Sequence, residues 1–402
     1  MTDNPAGLTV VGIGADGWAG LTGTATAALT AADVILGSDR QLALLPPQVA
    51  GERVAWPSPL LPALPGLLEA HRDRRVAVLA SGDPMFHGIG ATLRRHAGQV
   101  RVIPHPSSVS LAAARLGWPL ADVDVLSLVT ARVEELHPLV HPGRRILVLS
   151  RDASTPAEVA ALLTSRGYGD STVTVLSRLG GEDEASVRGP AATVDLTGLD
   201  PLNVVAIECG RGGARLPLTP GLPDDAYESD GQLTKREVRA VTLAMLGPQP
   251  GELLWDVGAG SGSIAIEWMR SHRACRAVAV ESSPERAARV EANAAALGVP
   301  KLEVVVGRAP GALAGLSTPD VVFIGGGVTR DGVLEAAWAA LPEGGRLVAN
   351  AVTLESEAVL AAWYAKLGGE LTRVAVSRAS PVGGFTGWRS MMPVTIWSVV
   401  KP

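Results

Sequence analysis

Short apolar runs recur along this chain, spaced so that a helix fits between most neighbours. The segments 8–14, 76–80, 100–103, 124–128, 145–149, 173–176 and 203–207 each read as a strand, followed by a helical stretch or a turn. Strand alternating with helix over this length predicts an α/β domain. From Gly210 to about Asp230 the periodicity stops and punctuation accumulates, as Gly-Arg-Gly-Gly, Leu-Pro-Leu-Thr-Pro and Pro-Asp-Asp. A second α/β series then begins, with Thr234 as the expected N-cap of a helix over 235–246. Its strands are expected at 253–257, 277–281, 303–306, 320–324, 346–350, 371–376 and 394–400. The pattern therefore divides the chain into a domain over 1–210, a linker over 211–229 and a domain over 230–402. The halves share an α/β character but no repeated motif.

Composition narrows the class. The chain has 402 residues, 47% of them hydrophobic, with 46 Gly and 29 Pro, enough for two globular cores rich in turns. Two cysteines, Cys209 and Cys275, give no disulfide framework, and no Cys/His spacing suggests a metal site. No basic-then-apolar leader opens the sequence and no apolar run approaches a membrane span, so a cytoplasmic protein away from membranes is expected. The net charge is −5 with no basic run, which argues against a nucleic-acid partner.

The most informative chemistry lies in 253–268, LLWDVGAGSGSIAIEW: an apolar strand, a glycine loop, then an amphipathic helix. Glycines at 258, 260 and 262 let the backbone turn tightly and come close to a ligand at a helix N-terminus. Glu281 ends the next apolar run, where a strand-end carboxylate can accept both hydroxyls of a ribose. Asp256, the Gly-x-Gly-x-Gly spacing and Glu281 together favour S-adenosylmethionine over a dinucleotide. Asp256 and the amides of the loop (Gly258, Ala259, Gly260, Ser261, Gly262) are expected to position its amino acid end. A glycine turn in some other Rossmann-like domain is the alternative.

Further along, Gly307-Arg-Ala309 follows a strand whose end usually meets an adenine ring. The fourth strand runs into Ile324-Gly-Gly-Gly327 in place of an Asn/Asp-Pro-Pro-aromatic loop that polarises a base amine. It offers space and backbone amides, which suits a bulky planar acceptor with a nucleophilic carbon; glycines serving only a turn remain the alternative. Asn350 to Glu355 is a polar cluster at the cofactor mouth. Ser380 to Arg389 reads as a flexible loop with Phe385, Trp388 and Arg389, suited to a flat carboxylate-bearing ligand or simply joining the last two strands. In the first half, 80–88 (ASGDPMFHG) is a loop rich in backbone donors, and Ser107-Ser108 precedes a helix as cap or ligand site. His87 is a catalytic acid or a structural histidine; the sequence prefers neither. No residue is singled out as catalytic.

Taken in order, these segments resemble the decarboxylating precorrin C5,15-methyltransferases of cobalamin biosynthesis, over nearly the whole chain. VVGIGADGW, LASGDPMFHGIG, HPSSVSLAAARLGWP and PLNVVAIE are similar to the tetrapyrrole methylase domain called CbiE. DGQLTKREVRA, LLWDVGAGSGSIAIEW, VFIGGG, NAVTLE and PVGGFTGWR are similar to its partner domain, CbiT. The resemblance implies a two-lobed tetrapyrrole methylase fold followed by a Rossmann-like class I methyltransferase fold. It implies one S-adenosylmethionine site per domain, methylation of two meso carbons of a precorrin, and loss of carbon dioxide from an acetate side chain, with the decarboxylation in the second half. Carried over by motif, Thr234, Gly258 to Gly262, Glu281 and Ala309 would contact cofactor in the second half. Gly82, Asp83, Met85, Ser107 and Ser108 would line the first-half cleft. Arg389, Trp388, Arg330 and Arg378 become candidates to hold the carboxylates of the macrocycle. Relatives of the CbiT type are commonly tetrameric, so a homo-oligomer is expected.

One departure stands out. Related first halves read Ser-Leu-His-Gly-Arg after a strand, where this chain has Ser127-Leu-Val-Thr-Ala-Arg132. Val129 stands in place of the histidine, which puts an acid or base role for that loop in doubt. Two other readings follow from the residues: an RNA methyltransferase, and an enzyme whose first half only binds substrate or assembles the chain.

Overall fold

The computed structural model describes residues 7–402, so the start of the segment read above for a leader lies outside the described residues. The chain forms two compact units. One runs up to Val133 and again over Leu139–Ala214; the other comprises Glu134–Pro138 and Arg215–Pro402.

The first unit is two sheets. β1 (Leu8–Ile13), β2 (Val34–Gly37), β3 (Glu52–Ala55), β4 (Val76–Ser81) and β5 (Arg101–Ile103) form a parallel sheet in the order β3-β2-β4-β1-β5. β6 (Val123–Ser127), β7 (Arg145–Leu149), β8 (Thr172–Ser177), β9 (Ala185–Pro190) and β10 (Asn203–Glu208) form a mixed sheet, β6-β7-β10-β8-β9. β2, β3 and β9 were not expected. Val34 to Gly37 is too short for its period to show, and β3 and β9 lie on sheet edges with exposed polar positions. Only pairing with a neighbour makes them strands.

The second unit is built on seven strands: β11 (Leu253–Val257), β12 (Arg276–Glu281), β13 (Glu303–Val306), β14 (Val321–Ile324), β15 (Arg346–Ala351), β16 (Glu370–Val374) and, after a hairpin, β19 (Val394–Val400). Their order is β13-β12-β11-β14-β15-β19-β16, with β19 antiparallel to both neighbours. β11 and β14 are buried at every position because helices cover both faces. One apolar cluster packs around Trp268 and Phe323, the other around Trp255 and Trp397.

Three local expectations are corrected. Thr234 does not cap the helix Arg236–Leu246; Lys235 holds the N-cap position without a side-chain bond. The flexible loop before the last strand is a hairpin, β17 (Ser377–Val382) with β18 (Phe385–Ser390), because the Gly383-Gly384 turn lets flanking residues pair in register. The aperiodic stretch, from Arg215 onward, is part of the second unit rather than a tether. Its anchor is the buried Glu267, which accepts from Gly221 N (2.6 Å), Leu222 N (3.0 Å), the Tyr227 hydroxyl (2.9 Å) and Arg239 Nε (2.6 Å). Arg239 is fully buried and also donates to the Leu222 and Thr234 carbonyls. This network saturates both charges, and burial pushes the Tyr227 hydroxyl well above its ordinary pKa. No helix among the described residues is long and apolar enough to cross a membrane.

Candidate functional site

A cavity of about 890 Å³ in the second unit opens at the strand ends where the order reverses between β11 and β14. Its lining includes the glycine loop (Gly258, Ala259, Gly260, Ser261), Glu281, Ala309, Gly325 to Gly327 and Thr234. The strap 231–235 forms one wall, held by Ser261 Oγ donating to the Gln232 carbonyl at 3.2 Å. Arg286 and Asp230, paired at 2.8 Å, close the strap against the next helix.

The two glycine turns meet backbone to backbone. A Cβ on Gly258, whose φ is +74°, would lie 2.8 Å from the Cα of Gly326, so no side chain fits. Gly260 (φ +61°) faces the strap with only the Gln232 carbonyl at 3.4 Å, leaving room for a ligand to approach its Cα.

The expected use of the loop amides is corrected. Gly258 N and Ala259 N donate to the Val280 carbonyl (2.9 and 3.2 Å), and Gly262 N to that of Ala259 (2.8 Å). Gly260 N donates to Glu281 Oε2 (2.9 Å), while Gly325 N and Gly326 N share the Val257 carbonyl (2.9 and 3.3 Å). The glycines therefore supply close approach, and their amides are used to hold the turns. Glu281 is buried, and Ser283 N donates to its other oxygen (3.0 Å). That oxygen also accepts from Ser282 Oγ (3.4 Å), while Oε2, bonded among the described residues to Gly260 N alone, keeps a further acceptor position for a hydroxyl.

Asp256 is not on the cavity wall. It lies sealed beneath the loop, where Oδ2 accepts from Ala265 N at 3.1 Å and caps the helix Ser263–Ser271 from below. Oδ1 has no partner among the described residues, and burial, with Glu281 adding repulsion, raises its pKa to about 7. Gly262, at the N-cap, also packs inward, against Val290.

Of the four residues expected to hold carboxylates, the structure places one in the cavity: Arg330. Arg378 is committed to Asp224 (3.0 Å) and Glu237 (2.5 Å), so its charge is already matched. Trp388 and Arg389 stand exposed on the hairpin and do not line the cavity. Asn350, read as part of a polar cluster at the cofactor mouth, lines the wall, whereas Lys235, Arg308 and Met391 were not singled out as wall residues. Arg308 and Asn350 lay inside segments already marked; Met391 carried no signal.

In the first unit a smaller cavity of about 90 Å³ is lined by Gly14, Arg40, Ser81, Gly82, Ser108 and Asn203, among others. Gly82 and Ser108 both line it. Ser107 does not line it, since its hydroxyl caps the following helix through Ser110 N (3.1 Å). Asp83 folds back onto Met85 N (2.9 Å), and Met85 itself is largely exposed. Val129 is exposed too. No cluster of His, Cys, Asp or Glu among the described residues could hold a metal ion.

A parallel sheet with an antiparallel seventh strand, a glycine loop and a strand-end glutamate define the second unit as a class I methyltransferase. Residues 225–401 match the model described as a precorrin methyltransferase domain, and residues 7–195 that of the tetrapyrrole (corrin/porphyrin) methylases. A precorrin-6Y C(5,15)-methyltransferase [decarboxylating] of Sinorhizobium sp. is 51% identical over 98% of this chain and 96% of its own. The chain belongs to the family of decarboxylating precorrin-6Y C5,15-methyltransferases. Two shorter relatives each cover 44% of it. One, 37% identical over 94% of its length, is a probable cobalt-precorrin-6B C(15)-methyltransferase (decarboxylating) of Pyrobaculum calidifontis. The other, 35% identical over 87% of its length, is a cobalt-precorrin-7 C(5)-methyltransferase of Salmonella typhimurium.

Proposed function

We propose that this chain methylates two meso carbons of a precorrin, C5 and C15, and removes carbon dioxide from one acetate side chain, with one S-adenosylmethionine site in each unit. The observation that carries the reading is the large cavity that joins a glycine loop and Glu281 to four basic side chains, Lys235, Arg308, Arg330 and the Asp230-paired Arg286, in a chain of net charge −5. Bound S-adenosylmethionine supplies an electrophilic methyl group. Glu281 holds the ribose hydroxyls, the glycine turns permit close approach, and the strap 231–235 closes over the site.

The acceptor carbons of a reduced tetrapyrrole are enamine-like, so alignment matters more than a strong base. Arg308, Arg330 and Lys235 orient the macrocycle through its carboxylates, the guanidiniums by two-pronged pairing. Decarboxylation and C15 methylation belong to the second unit, and C5 methylation to the first. The existence of separate relatives for the two reactions supports this division. The protein acts in the cytoplasm as a homo-oligomer, for which the exposed Val382, Phe385 and Trp388 of the hairpin offer an apolar surface.

Incubation with precorrin-6Y and S-adenosylmethionine should give a product with two added methyl groups and one carbon dioxide lost, read by mass spectrometry. Calorimetry should count two cofactor molecules per chain. One cofactor per chain and a single added methyl would mean that the first unit only binds or assembles.

A further inference from the structure

The wall of the large cavity changes character along the sheet. On the β13-β12-β11 side it carries Arg308, Glu281, Ser282 and Ser263; Arg330 follows β14, and Lys235 comes from the strap. Past β15 it turns apolar: Val352, Val376, Met391, Met392 and Val394, with Asn350 the polar residue among them. Asn350 donates its Nδ2 to the buried Thr242 hydroxyl at 3.0 Å, and its Oδ1 has no partner among the described residues. None of the lining residues that follow Asn350 in the chain is charged, whereas the rest of the wall sets Lys235, Glu281, Arg286, Arg308 and Arg330 among apolar residues such as Val257, Val280 and Phe323. Arg378, the nearest cation in sequence to Val376, is neutralised by Asp224 and Glu237.

We propose that this uncharged end, and not the cationic one, receives the acetate that loses carbon dioxide, with Val352, Val376, Met391 and Val394 as the residues that select it. The inference rests on the precorrin reading above. In the reaction the bond between the acetate methylene and its carboxylate breaks, and the electron pair passes into the conjugated ring. Carbon dioxide departs, and a proton from water completes the new methyl group. The negative charge leaves the carboxylate as the bond breaks. A cation paired with it would stabilise the starting state more than the transition state and slow the step. An apolar wall does the reverse, since it removes water from the carboxylate without replacing it by a fixed positive charge. Arg308, Arg330 and Lys235 hold the carboxylates that must survive. Choice of the reacting acetate thus follows from charge: the one left unpaired when the others are anchored is the one removed. The unbranched Met391 adapts its shape to a flat ring edge.

The test places a cation at that end in the full-length chain. Met391→Lys keeps the length of the side chain, and Val352→Lys changes a position already 49% exposed, where a charge does not threaten folding. Carbon dioxide released from carboxyl-labelled precorrin-6Y is measured against methyl groups transferred. Both variants should lower the ratio by about tenfold or more, equivalent to one added ion pair. Met391→Gln, polar but uncharged, should fall between them and the wild type. Arg330→Gln should raise KM for the precorrin and keep the ratio. A wild-type ratio in both lysine variants, or a loss of ratio in Arg330→Gln as large as theirs, overturns the assignment. Absence of carbon dioxide release by the wild type would instead overturn the functional reading itself.

Discussion

Replacing Asp256 by Asn should change the pH dependence of stability more than stability itself. Its carboxyl is fully buried, with one oxygen on Ala265 N and the other without a partner among the described residues, and titrates at about 7 against 3.8 for the unperturbed group. The folded-state value lies above the unfolded one, so the folded chain keeps the proton longer. Stability from this group is fully present below about pH 4 and is lost as pH rises through about 7. At about 1.4 kcal/mol per pH unit, the wild type should lose roughly 2–3 kcal/mol between pH 5 and pH 8.5 from this carboxyl. Asparagine does not ionise, and its carbonyl can still accept from Ala265 N. Its amide would be left unpaired at a cost of about 1–3 kcal/mol, which sets the variant below the wild type at pH 5. By pH 8.5 the two should be equal or the order reversed. Urea unfolding followed by hydrogen exchange in β11 and the following helix reads this unit alone. A gap between the two proteins that is the same at both pH values would refute the reasoning.

Other perturbations test other parts of the site. Gly260→Val puts a branched side chain where φ is +61° and where a ligand must approach, so cofactor binding at the second-unit site should be lost, leaving one site by calorimetry. Glu267→Ala takes from the buried Arg239 its closer carboxylate, leaving only Asp224 at 3.3 Å, and should cost about 3–5 kcal/mol in unfolding free energy, with release of the segment 221–235 seen by proteolysis. Arg330→Ala should weaken precorrin binding by about 1.5–3 kcal/mol, whereas Arg389→Ala, outside the cavity wall, should weaken it by clearly less. Equal losses would return the hairpin to the site.

Where structure is set by neighbours in sequence, the chain could be read directly. β7, β11 and β19 fall on the apolar runs that mark them, because a strand buried on both faces shows itself as consecutive apolar residues. The glycine loop and the position of Glu281 are equally local, since both depend on spacing around one strand–turn–helix unit. The partners of buried polar groups are not local. Asp256 looked like a ligand because it precedes the loop, but packing turned it beneath the helix it caps. Arg378 looked available until folding brought Asp224 and Glu237, distant in sequence, within reach of it. The glycine-loop amides looked like donors until the Val280 carbonyl took those of Gly258 and Ala259, the Glu281 carboxylate that of Gly260 and the Ala259 carbonyl that of Gly262. The far end of the cavity draws Asn350 and Val352, inside a segment already marked, together with Val376 and Met391, which carry no mark of their own. Sequence determined which groups could do chemistry, through composition and short-range spacing. Only the tertiary structure decided which of them were left facing the cavity, because each buried donor, acceptor and charge must first be satisfied within the fold.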